Sequence, residues 1–295
     1  MRTSRGTGSD MRIVLASGKG GTGKTSLAVA LAETLPAPLT LADCDVEEPN
    51  AHLFFPNLGS AKKEPVELPI PQVDPELCTG CGACSRLCQF NAIIALGGSK
   101  AMVFPDMCHA CGGCTLVCPA KAITEVPRSM GEIEEGFWEE GKTLITGRMD
   151  VGQAMAPPVI RKVLEKACGN SKNILVDAPP GTSCSFVTAV KSADYAVFVT
   201  EATPFGLHDL TLAVETIREL TVPFGVVINR SNGDENLVTR YCRRENIPVL
   251  LQIETSRRIA EFYSRGESMV KALPELRGPL LDMVQTIEAA LTGGA

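Results

Sequence analysis

Two stretches of this sequence set reactive side chains at fixed spacings. The first is Gly18-Lys19-Gly20-Gly21-Thr22-Gly23-Lys24-Thr25, which fits G-x-x-x-x-G-K-[ST]. Glycines let backbone N–H groups turn inward around phosphate oxygens, and a following helix adds the dipole of its N-terminus. Lys24 is spaced to reach the outer phosphates of a nucleotide, and Thr25 to ligate Mg²⁺. The bland alternative is a glycine-rich turn that binds nothing. The context favours chemistry: the apolar run Ile13 to Ala16 precedes the loop, and a helical pattern from Thr25 to Leu35 follows it.

The second stretch is Cys78-x2-Cys81-x2-Cys84-x3-Cys88, followed by Cys108-x2-Cys111-x2-Cys114-x3-Cys118-Pro119. The chain has 12 cysteines, and eight of them fall here, so they mark a local site rather than a chain-wide framework. Four thiolates suit a [4Fe–4S] cluster, and in this doubled spacing the fourth cysteine of each run serves the other cluster. Cys78, Cys81, Cys84 and Cys118 would then hold one cluster, and Cys88, Cys108, Cys111 and Cys114 the second. One surviving cluster, zinc and disulfides are the competing readings. Structural zinc prefers two separated pairs. Disulfides conflict with a reducing compartment. Gly80, Gly82, Gly112 and Gly113 permit a tight wrap of backbone around sulfur. Gln89 stands where proline is usual, and His109, beside Cys108, reads as a surface histidine or a group that tunes a cluster. Cys44 and Cys168 read as small packed apolar residues.

These residues need elements to hold them. Apolar runs at Leu39–Ala42, Asn173–Ala178, Asp194–Thr200, Pro223–Asn229 and Ile247–Gln252 read as buried strands. Helical patterns at Ile160–Ala167, Leu207–Leu220, Ile259–Phe262 and Leu276–Leu291 separate most of them, with Pro157-Pro158 suited to a first turn. Continuous apolar strands alternating with helices imply an α/β fold with a mostly parallel sheet covered on both faces. Five prolines within residues 56–75 read as punctuation rather than structure, and the acidic stretch 128–142 as a return linker. The expected organisation is a loose tail at 1–10, a first part of an α/β domain at 11–61, a cysteine-rich insert at 62–128, and the remainder of the α/β domain at 129–295.

The form K-G-G-T-G-K-T, with Lys19 at the second loop position, resembles the deviant Walker A motif of the MinD/ParA superfamily of dimeric P-loop ATPases. Asp43-Cys44-Asp45 is similar to that family's switch I, Asp177-Ala178-Pro179-Pro180-Gly181 to its Walker B and switch II, and Val226 to Arg230 to the strand whose asparagine meets adenine. The resemblance covers roughly residues 11–55 and 142–285. It implies a three-layer P-loop NTPase sandwich binding ATP and Mg²⁺, with Gly18 to Ser26 around the nucleotide (Gly18, Lys19, Gly20, Gly21, Thr22, Gly23, Lys24, Thr25 and Ser26). It further implies that Lys19 reaches the partner's nucleotide across a dimer and that Asp45 activates water. Asp43 and Asp177 would serve the Mg²⁺ shell, Gly181 would sense the γ-phosphate, and Asn229 would bind adenine. The doubled cysteine run resembles a bacterial ferredoxin. The whole looks like a MinD-type ATPase interrupted by a small ferredoxin-like α+β insert.

A net charge of −6 argues against nonspecific nucleic-acid binding. The first ten residues lack an apolar signal region, and no stretch reads as membrane-spanning, so the chain is expected in the cytoplasm. Leu276 to Ala295 carries Asp282, Glu288 and a lone cation, Arg277, which excludes a polybasic membrane anchor. A C-terminal C-x-x-C, a feature of Mrp-type cluster carriers, is absent. Three functions compete: an ATPase gating electron transfer to a partner protein, an accessory factor for metal-cluster assembly or delivery, and a non-redox positioning ATPase. The expected assembly is a nucleotide-dependent homodimer or a dimer with a paralogue.

Overall fold

A computed structural model describes residues 11–59, 62–96, 98–171 and 173–293. The expected tail at 1–10 lies outside them. The chain divides into two compact units. The first comprises Met1–Lys63, Ile133–Arg148 and Ile160–Ala295; the second comprises Glu64–Glu132 and Met149–Val159.

The first unit opens with β1 (Met11–Ala16), α1 (Lys24–Thr34) and β2 (Leu39–Asp43). The chain then passes through β3 (Lys62–Val73) into α2 (Ala83–Leu87), β4 (Ile93–Ile94), β5 (Met102–Val103) and α3 (Gly113–Leu116). It returns along β6 (Ile123–Glu139) and β7 (Lys142–Met149). The α/β alternation resumes with α4 (Pro157–Asn170), β8 (Asn173–Asp177), α5 (Cys184–Val190), β9 (Tyr195–Glu201), α6 (Pro204–Glu219) and β10 (Phe224–Ser231). It closes with α7 (Leu237–Arg244), β11 (Val249–Glu254), α8 (Arg257–Tyr263), α9 (Met269–Ala272) and α10 (Arg277–Thr292).

The strand order is β11-β10-β9-β1-β8-β2-β7-β6-β3. From β11 to β7 every pairing is parallel. β1 has β8 on one side and β9 on the other, so the order switches direction at β1, where ligands of open α/β sheets bind beyond the strand carboxyl ends. The register puts Leu15 and Asp43 on either side of Asp177. The sheet therefore delivers the phosphate loop and both acidic strand ends to one edge. Helix α1 is buried on nearly all sides (Leu27 to Ala32), and it packs in a core with Ile13, Leu41, Val197, Leu280 and Ile287.

Two segments differ from the sequence reading. The proline-rich stretch forms the long strand β3 despite Pro65, Pro69 and Pro71. It stands last in the strand order, where a missing N–H costs least. The stretch 128–142 is not a linker: it is the end of β6 and the start of β7. The second unit also takes in Met149–Val159, beyond the expected insert. There the Asp150 N–H donates to the Met130 carbonyl at 3.0 Å, and the Ser129 hydroxyl to the Asp150 carboxylate at 2.6 Å.

The second unit has a small core. Cys84, Ile93, Ala101 and Ile123 are buried, with Cys78, Cys88, Cys114 and Cys118 packed against them. It is built as a repeat thirty positions long, the distance from Cys78 to Cys108. Gly82 (φ 73°) precedes α2 as Gly112 (φ 69°) precedes α3. Gly80 and Ala110, and Asn91 and Lys121, likewise share left-handed backbone at equivalent positions. The repeat extends to sulfur: the Ala92 N–H donates to Cys88 Sγ and the Ala122 N–H to Cys118 Sγ, both at 3.3 Å.

Candidate functional site

A cleft of about 860 Å³ opens in the first unit at the carboxyl ends of the strands. Gly20, Gly21, Gly23, Lys24, Thr25, Ser26, Asp45 and Asn229 line it, all expected from sequence. Gly23, at φ 92°, turns the loop into α1, and a side chain there would collide with the Asn229 amide. That amide donates to the Thr22 carbonyl at 2.8 Å, so Asn229 braces the loop as well as facing the cleft. Gly18 passes so close to the Asp209 backbone that no side chain fits.

The charges beneath the loop are concentrated. The Lys24 ammonium is 6% exposed and lies 2.5 Å from Asp177 and 3.8 Å from Asp45. Burial alone would depress Lys24, but Asp177 holds it above its ordinary value. Thr25 donates to the other Asp177 oxygen at 2.6 Å. Asp177 itself is fully buried. Asp43 accepts from the N–H groups of Asp45 (3.2 Å), Asn50 (3.1 Å) and Ala51 (3.0 Å), organising the loop that carries Asp45. Burial first, then the Asp177 charge, pushes Asp43 up to about 7; burial pushes Asp45 up to about 6.

Three carboxylates thus share one ammonium. A divalent cation fits this imbalance, and the Thr25 hydroxyl and Asp177 carboxylate offer the adjacent hard oxygens that Mg²⁺ takes. The Thr22 hydroxyl and the Asn50 side-chain oxygen are buried without a protein partner, as polar groups awaiting ligand or water would be.

Other expected residues sit elsewhere. Lys19 is half-buried, its carbonyl accepting from the Ser17 hydroxyl at 2.8 Å, and its side chain does not line the cleft. Gly181 (φ 87°) bonds through its N–H to the Ser17 carbonyl at 2.9 Å, tying the segment after β8 to the phosphate loop without lining the cleft. Asp43 is likewise a buried brace rather than a lining group. The far wall was missed by motif reading: Arg230, Glu254, Arg257 and Tyr263 line it. Arg230 and Glu254 stand at the ends of two apolar strands, and Arg257 and Tyr263 open and close α8.

The eight cysteines of the second unit fall into two pockets. Cys78, Cys81, Cys84 and Cys118 line one; Cys88, Cys108, Cys111 and Cys114 line the other. These are the two interleaved sets that the spacing implies. The thiols are unpaired, and among the described residues no three His, Cys, Asp or Glu groups converge on a single-ion site. Four thiols spread around each pocket fit the larger body of a [4Fe–4S] cluster. His109 lies flat on Phe90, ring centroids 3.6 Å apart. Of the other cysteines, Cys44 and Cys242 are buried; Cys168 is exposed rather than packed, its sulfur accepting from Arg12 at 2.6 Å.

Fold and cleft together define a P-loop nucleotide-binding protein. The chain belongs to the CobQ/CobB/MinD/ParA nucleotide-binding domain family, whose model matches residues 13–269. It is 34% identical over 223 residues to the uncharacterized protein MJ0578 of Methanocaldococcus jannaschii, spanning 75% of this chain and 78% of that protein. It is 30% identical over 271 residues to MJ0579 of the same organism, spanning 89% and 93%. Among solved structures it is similar to MinD of Pyrococcus horikoshii OT3 in complex with Mg-ADP (19% identity, TM-score 0.57, 97% of this chain and 98% of that one). It is also similar to a ParA family ATPase from Chlorobium tepidum TLS (13% identity, TM-score 0.56, 97% and 99%). These likenesses show the shared fold. Among the described residues no helix is long and apolar enough to cross a membrane.

Proposed function

We propose that this protein is a MgATP-hydrolysing ATPase carrying two [4Fe–4S] clusters, and that nucleotide state controls electron transfer with a partner protein. The observation that carries this reading is the sorting of eight cysteines into two four-thiol pockets in a chain that also carries a P-loop cleft. Each cluster supplies one-electron chemistry when bound.

In the cleft, the loop N–H groups and Lys24 bind the phosphates and neutralise charge as the terminal phosphoryl departs. Thr25 and Asp177 hold Mg²⁺. Asp45, at the cleft surface and 18% exposed, orients the attacking water and takes its proton. Asn229 faces the base. Lys19, which does not line its own cleft, serves the nucleotide of a second copy, so the active form is a dimer. Gly181, held to Ser17, relays the state of the phosphate loop to the segment after β8.

The chain enters the second unit shortly after Asp45 and comes back before Asp177. Movement of the acidic loops on hydrolysis is therefore transmitted along the chain to the cysteine pockets. The second unit exposes Phe90, Phe104, Met107 and Leu116, apolar side chains suited to docking a protein partner. Unpaired thiols fit a reducing cytoplasm.

Family membership also favours a second reading, a positioning ATPase of the MinD/ParA type in which the cysteine unit is structural. A redox titration followed by electron paramagnetic resonance, with and without MgATP, separates the two. A nucleotide-dependent change of about tenfold in a reduction equilibrium, about 59 mV for one electron, supports gating. Unchanged potentials in a cluster-loaded chain overturn it and leave the assembly and positioning roles.

A further inference from the structure

The two cysteine pockets are copies of one repeat, so a charge present at only one of two equivalent positions acts on one pocket alone. Counting thirty positions on from the first pocket, Ala95 corresponds to Glu125. Ala95 lines the first pocket and Glu125 lines the second. The Glu125 carboxylate lies over the loop from Cys111 to Cys114: one oxygen is 3.3 Å from where a side chain on Gly112 would begin, and it accepts from the Thr115 hydroxyl at 3.5 Å.

The first pocket carries the opposite sign. The Lys100 ammonium donates to the Cys78 carbonyl at 2.7 Å. The repeat equivalent of Lys100 is Met130, buried and uncharged.

An electron added to a thiolate-held cluster increases its negative charge. A neighbouring carboxylate opposes that and a neighbouring ammonium favours it. We propose that Lys100 and Glu125 split the reduction potentials of the two sites. The first electron rests on the set Cys78, Cys81, Cys84 and Cys118; the set Cys88, Cys108, Cys111 and Cys114 is the low-potential site. Each step takes up one electron from an external one-electron donor and breaks no bond. An electron arriving at the second set therefore passes downhill to the first. This inference rests on the cluster reading above.

The test is a dithionite titration of the full chain, purified without oxygen, followed by electron paramagnetic resonance. The pH is held at one value throughout. Iron and sulfide are counted first. About eight of each per chain upholds the cluster reading; few or none overturns that reading, and this inference with it, before any potential is measured. In the loaded chain two steps should differ at least tenfold in equilibrium constant, about 59 mV. Glu125→Gln should raise the lower step severalfold and leave the upper one in place. Lys100→Met should lower the upper step and leave the lower. A single potential in the wild-type chain, or a Glu125→Gln variant that moves the upper step or neither, overturns the inference while the clusters remain.

Discussion

The nucleotide cleft and the cysteine pockets are built on opposite plans. The cleft sits on top of a large apolar core: Ile13, Leu27, Leu31, Leu41 and Val197 would pack the same way whether or not a nucleotide were present. Its functional groups also hold one another, Lys24 with Asp177, Thr25 with Asp177, and Asn229 with the Thr22 carbonyl. In the second unit the candidate ligands are themselves part of the core. Four of the eight cysteines pack against Ile93 and Ile123, and Cys84 is buried among them. So small a unit has little other apolar surface to bury, and in the proposed reading a metal cluster would supply what a hydrophobic core cannot. Where a site rests on the fold, losing its ligand costs activity; where the ligand completes the core, losing it costs structure.

The largest effect that sharpens this contrast comes from Lys24→Ala. Hydrolysis should fall on the order of a thousandfold, because the group that meets the phosphates is gone. Iron and sulfide content should stay at the wild-type level. Loss of iron in this variant would show that the two regions do not stand apart as described.

A smaller effect concerns pH and the first unit alone. Without metal or nucleotide, Asp43 and Asp45 sit at about 7 and about 6, above the ordinary 3.8 of an aspartate. Between these values the folded unit holds protons that the unfolded chain has released. Their contribution to stability is therefore present at low pH and is lost as pH rises from about 4 to about 7. The thermal midpoint of the nucleotide unit, with Mg²⁺ chelated, should be higher at pH 5 than at pH 8. Asp43→Asn, which keeps an acceptor for Asn50 and Ala51, should flatten the difference. A midpoint that rises with pH in the parent chain would contradict the account of these carboxylates.

The same contrast explains what is legible in the sequence. The phosphate loop and the doubled cysteine spacing are local patterns, and each residue type there answers a chemical need within a few positions. The structure gathers Lys24, Thr25, Asp45 and Asn229 in one cleft and sorts the cysteines into two sets. The parallel strands are legible as continuous apolar runs. The strand β3 is not, because prolines signal interruption until the strand order shows that they stand at an edge. The acidic, glycine-containing stretch 128–142 reads as a linker because burial does not alternate there: Glu132, Glu134 and Glu135 are half-buried while Phe137 is exposed. Arg230, Glu254 and Arg257 could not be read as a cleft wall, because Arg230 and Glu254 come together only through the parallel pairing of β10 with β11, and Arg257 opens the helix that follows. Asp43 illustrates a finer limit: its place after β2 is plain from sequence, but its work in bracing the Asp45 loop depends on three backbone N–H groups.

The most direct test is amide hydrogen exchange on the full chain, followed by mass spectrometry, before and after iron is removed without oxygen. The account predicts that peptides spanning α2, α3 and the cysteine loops lose protection when iron leaves, while α1, β1 and β8 exchange as before. Protection that persists around Cys78 to Cys118 in the iron-free chain would contradict the claim that bound clusters complete that core.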